Sequence, residues 1–134
     1  MDDPAEDNRA QAEQLNLQAG FRYNKIRAHL KVYGSRNAEV EQLARYGIEF
    51  IEAALKLFPD DPNYLNTYAL LVADGLGQKK LGLEILEKAA RLAPNNIQIS
   101  QNIRDLNASA QAGCLVLCFA GLASGYAFAR LFLG

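Results

Sequence analysis

The chain has 134 residues, half of them hydrophobic and 22% charged, with a formal net charge of −1. That length leaves room for one small domain, and the balance excludes a disordered chain, a collagen-like fibre and a strongly basic nucleic-acid binder. The averages conceal a segregation: Gly113–Gly134 holds 16 hydrophobic residues out of 22, with Arg130 as its only charge.

Residues 1–10 carry four acids (Asp2, Asp3, Glu6 and Asp7) against Arg9, and are expected to fray. They contain no apolar run, so no secretory signal is expected. Residues 11–111 read as a helical body. A first helix is expected from about Asp7 to Tyr33, ended by Tyr33-Gly34-Ser35-Arg36-Asn37, with Asn37 able to cap the next. Val40, Leu43, Ala44, Ile48, Ile51, Ala54, Leu55 and Phe58 then recur at three- and four-residue steps, the spacing of one helical stripe. Pro59-Asp60-Asp61-Pro62 ends that helix and starts another, with Asp61 suited to the N-cap and Pro62 to the first helical position. Leu65, Tyr68, Ala69 and Val72 form its stripe, and Asp74-Gly75-Leu76-Gly77 breaks it. A helix from about Lys79 to Ala93 presents Leu83, Leu86, Ala89, Ala90 and Ala93. After Pro94-Asn95-Asn96, a last helix carries Ile99, Ile103, Leu106 and Ala110.

These are antiparallel helical hairpins with short connections, and two segments are self-similar. Ala54-Leu55-Lys56-Leu57-Phe58-Pro59-Asp60-Asp61 and Ala89-Ala90-Arg91-Leu92-Ala93-Pro94-Asn95-Asn96 carry one phrase, 35 residues apart. An alanine followed five residues later by proline and two small polar residues resembles the end of a tetratricopeptide repeat. Residues 62–96 carry the resemblance best: Leu65, Tyr68, Ala69 and Val72 match the first-helix positions, Gly77 the turn, and Gly82, Leu86 and Ala89 the crossing of the two helices. Residues 22–61 match less well, because Gly34 and Ser35 make a turn where the family has a first helix.

The resemblance implies a stack of hairpins whose first helices line a concave surface that holds an extended peptide or a partner's helix. The residues there would be Asn63, Asn66, Leu70, Ala73 and Asp74, with the two asparagines offering hydrogen bonds to a peptide backbone. The flanking helices would serve as caps to so short a stack.

The segment 112–134 reads as a transmembrane helix. At 1.5 Å per residue, 22 helical residues span about 33 Å against a hydrocarbon core of about 30 Å. Arg130 can snorkel to the far headgroups. Gly121 and Gly125 form a G-x-x-x-G that suits close packing against a second copy or a neighbour in a membrane complex. Cys114 and Cys118 read as small apolar members of that segment or as acylation sites. The expected localisation is a single-pass membrane protein, of a mitochondrial or other organelle, with its body on the side of synthesis. The layout resembles that of the tail-anchored mitochondrial fission adaptors.

Between Gln14 and Ala38 every charged residue is basic: Arg22, Lys25, Arg27, Lys31 and Arg36, interleaved with Phe21, Tyr23 and Tyr33. This helix is either a solvated one with its aromatics packed inward, or one that meets an acidic surface, lipid headgroups or an acidic partner segment. The net-acidic body argues against nucleic acid. A lone histidine, His29, and the lack of phosphate-binding glycine motifs leave no expected catalytic residue, cofactor or metal. The sequence thus predicts an all-α chain, a tetratricopeptide-like stack with one C-terminal transmembrane helix. Its expected role is that of a membrane-tethered adaptor for a protein partner or, alternatively, of an accessory subunit of a larger membrane complex.

Overall fold

The computed structural model describes residues 3–112, and these are all-α, with no strand among them. Helix α1 spans Pro4–Tyr33 and α2 spans Ala38–Leu57. Helix α3, Pro62–Leu70, continues into a π-helical turn, Leu71–Gly75. Helix α4 spans Lys79–Leu92, and α5 covers residues 97–112. The expected transmembrane helix at 112–134, with Gly121 and Gly125, lies outside the described residues apart from its first position. Among the described residues no helix is long and apolar enough to cross a membrane.

Short polar residues set the helix ends. The side chains of Asp3, Asn37, Asp61 and Asn96 accept hydrogen bonds from backbone amides in the first turns of α1, α2, α3 and α5. Each satisfies amides that would otherwise have no partner. Asp3 also corrects the expected start of α1: helix begins at Pro4, inside the segment expected to fray, because Asp3 caps it and Glu6 and Asp7 complement its dipole. Gly34 and Gly77 take φ of +70° and +73° at the ends of α1 and of the α3–π segment, a conformation that side-chain-bearing residues avoid.

The core divides into two clusters. Ile26, Ile51, Tyr64 and Leu71 join α1, α2 and one side of the α3–π segment. Leu65, Ala69, Ala73, Leu86, Ile99 and Leu106 join its other side to α4 and α5. Full burial of each aliphatic side chain contributes about 1.5–3 kcal/mol. Where α4 crosses α3, Gly82 is in close contact: a Cβ there would lie 2.7 Å from Ala73 Cβ and 2.8 Å from the Ala69 carbonyl oxygen.

Side-chain pairing fixes the relative direction of α1 and α3. Tyr64 pairs with Glu13, Thr67 with Asn16 and Tyr23 with Asp74, each across 51 residues. A constant offset means the two helices run parallel, as expected when α2 returns antiparallel between them. Asn102 of α5 pairs with Asn66 across 36 residues. Helices α1, α3 and α5 therefore stand side by side on one face, and α2 and α4 stand behind them.

Candidate functional site

The face formed by α1, α3 and α5 is furrowed by a groove of about 400 Å³. Tyr23, Asn24 and Arg27 line it from α1; Asn66, Thr67, Leu70 and Asp74 form its floor; Gln98, Asn102 and Asp105 line it from α5. The floor is cross-braced. Asn102 Nδ2 donates to Asn66 Oδ1 at 2.8 Å, Thr67 Oγ1 to Asn16 Oδ1 at 2.8 Å, and the Tyr23 hydroxyl to Asp74 Oδ2 at 2.7 Å. Burial, and then the negative charge of Asp74 and its hydrogen bond, push the Tyr23 phenol well above its ordinary range, so it stays a donor into alkaline pH.

Of the five residues expected on the concave face, Asn66, Leu70 and Asp74 line this groove. Asn63 does not; it is exposed in the first turn of α3. Ala73 does not either. It is fully buried, on the side of the π-helical turn that faces Gly82 of α4. Asn24, Thr67, Gln98 and Asn102 are groove residues that sequence reasoning missed. For the three amides the signal was a side-chain amide recurring on α1, α3 and α5, visible only once the helices are known to stand side by side; Thr67 carried none.

The five bases of the first helix do not form one patch. Arg22 turns to α2, with its guanidinium 4.4 Å from the Phe50 ring centroid, while Arg27 stands at the groove. Lys25 lies over the Phe21 ring at 4.8 Å. Lys31 is exposed, and Arg36 covers Gly77 at the turn before α4. His29 stacks on Tyr33 with centroids 4.6 Å apart.

Chemically the groove offers paired donors and acceptors. An amide side chain presents both, which is the complement of a peptide backbone. Arg27 and the carboxylates Asp74 and Asp105 put opposite charges within it. No group of three His, Cys, Asp or Glu side chains that could hold a metal ion occurs among the described residues. The sequence matches no protein-family model, and no curated protein is significantly similar to it.

Proposed function

We propose that this chain is a non-enzymatic, membrane-tethered adaptor that holds a segment of a partner protein in the groove between α1, α3 and α5. The observation that carries the reading is that groove: three parallel helices on one face, with amide side chains from all three. The tetratricopeptide resemblance supports it. Gly82 and Ala89 lie buried on α4, the positions where repeat hairpins cross closely, and the unit of 35 residues exceeds the family's length of about 34 by one. A π-helical turn takes up more residues per turn than an α-helical one, so under this reading the extra residue expected in the Asp74–Gly77 turn is assigned to Leu71–Gly75 instead. Membrane attachment rests on the hydrophobic segment 113–134. The spacing of Gly121 and Gly125 favours a second reading, an accessory subunit packed laterally in a larger membrane complex.

Carbonate extraction tests the anchor: the full chain stays with membranes, and a chain ending at Gln111 is released. Extraction of the full chain would end the tethering hypothesis. Native size after mild solubilisation separates the two readings, since a small assembly supports the adaptor and stoichiometric migration with a large complex supports the subunit. Replacing Asn66 by Arg, which fills the groove at an already half-exposed position, is expected to release the partner while leaving membrane attachment intact.

A further inference from the structure

One flank of α1 is apolar and has no partner within the body. Leu17, Phe21 and Val32 are 65%, 59% and 72% exposed, and Tyr33, at the end of the helix, is 70% exposed. On a helix of 3.6 residues per turn, Leu17, Phe21, Ala28 and Val32 fall within about 60° of one another. Lys25 borders this stripe on one side and Lys31 on the other. The stripe is also at a particular end of the molecule. Arg36, three residues beyond the end of α1, lies against the Gly77 turn, and Lys79 Nζ donates to Ser109 Oγ of α5 at 2.9 Å. The end of α1 and the end of α5 are therefore at the same pole of the bundle, where the chain continues into the hydrophobic residues 113–134.

Charge differs between the poles. At the pole where α5 ends stand Lys31, Arg36, Lys79 and Lys80, with Glu39 and Glu41 in the first turn of α2. At the opposite pole Asp3, Glu6, Asp7, Asp60 and Asp61 are largely offset by Arg9, Lys56, Lys88 and Arg91. Both ion pairs among the described residues, Arg9–Asp61 and Lys88–Asp60, are there. None of the four bases at the first pole is in an ion pair among the described residues. A second copy packed in parallel on the α1 stripe would bring these bases together, whereas an anionic surface complements them.

We propose that the outer flank of α1 and the adjoining basic pole dock onto an anionic lipid bilayer, with Phe21, Val32 and Tyr33 at headgroup depth and Lys25, Lys31 and Arg36 among the lipid phosphates. The inference rests on the membrane-tethered reading above: a body joined to a membrane segment without an intervening linker must turn some face to the bilayer. This flank combines exposed apolar surface with basic borders, the combination that holds amphipathic helices at interfaces.

The chain contains no tryptophan, so a single introduced indole is a clean reporter. The full chain carrying Val32→Trp is reconstituted into vesicles of phosphatidylcholine alone, or with about one-third phosphatidylserine, in which a fraction of the lipid is brominated at the upper acyl chain. Tyr46→Trp, on the outer surface of α2, serves as the control. Strong quenching of the Val32 reporter in anionic vesicles, little in neutral ones and little for the Tyr46 reporter are expected. Adding Lys31→Glu and Arg36→Glu is expected to weaken docking by at least fivefold per residue, with far-UV circular dichroism unchanged. Equal quenching of the two reporters, equal quenching in the two lipids, or insensitivity to the charge reversals would overturn the proposal. Carbonate extraction of the same vesicles reports the anchor separately: a chain that resists extraction but shows no quenching sinks the docking alone.

Discussion

The Tyr23 hydroxyl donates to Asp74 Oδ2 across 2.7 Å, joining α1 to the π-helical turn across 51 residues. The contact closes one end of the groove floor and holds a phenol in its protonated form. Replacing Tyr23 by Phe removes the donor and leaves a half-buried carboxylate short of one partner. A loss of about 1–2 kcal/mol at pH 7 is expected from urea unfolding of the full chain in mild detergent.

The same phenol makes stability depend on alkaline pH. Its pKa is raised in the folded chain, while in the unfolded chain it is about 10. Below pH 10 both states are protonated and its contribution is complete. As pH climbs above 10 the unfolded state alone loses the proton, and stability falls by at most about 1.4 kcal/mol per pH unit for this group. Tyr64 and Tyr68, both raised chiefly by burial, act in the same direction. Melting temperatures measured from pH 8 to 11 should decline less steeply in Tyr23→Phe than in the wild type.

Two glycines in helices predict opposite outcomes for one substitution. At Gly20, in the middle of α1, an added Cβ meets nothing within 4 Å. Gly20→Ala therefore gains helix propensity and should stabilise by about 0.5–1 kcal/mol. At Gly82 the same methyl would press on Ala73 and the Ala69 carbonyl, so the clash outweighs the propensity gain. A net loss of about 1–3 kcal/mol is expected for Gly82→Ala. Thermal melts of the two variants, run together, check the sign of each.

Asp61 serves two roles that substitutions separate. Its Oδ1 accepts from the amides of Asn63 and Tyr64, and its Oδ2 accepts from Arg9 at 2.8 Å. Asp61→Ala removes the cap and should cost about 1–2 kcal/mol. Asp61→Asn keeps a capping oxygen and loses only the charge of an ion pair whose Arg9 side chain is 47% exposed, so it should cost less than Asp61→Ala. A large loss in the Asn variant would show that Arg9, which also stacks 3.7 Å over the Phe58 ring, depends on the charge.

The helices of the body were legible in the sequence because each signal was local. Asn37 and Asp61 cap the helices they were expected to cap, and Val40, Ala44, Ile51 and Ala54 form the buried stripe of α2. What the sequence concealed was relational. Tyr64, which lies outside every apolar stripe read from spacing, is almost completely buried because Arg9 and Glu13 of α1 satisfy its hydroxyl. Nothing near Tyr64 in the chain announces those partners. The same holds for the residues that the tetratricopeptide resemblance implied for a concave face: Asn66, Leu70 and Asp74 line the groove, but which neighbour Ala73 would meet depended on Gly82 of another helix.

The division of the core into two clusters bears on how this molecule can yield. One wall of the groove, α1, belongs to the first cluster, and the other, α5, belongs to the second. The α3–π segment supplies residues to both, and Leu55 of α2 packs against both as well. Few apolar contacts besides those of the α3–π segment and Leu55 join the two halves, so the groove runs along the seam where the core is thinnest. A segment seated between the walls would act as a stitch, turning two weakly coupled halves into one cooperative unit.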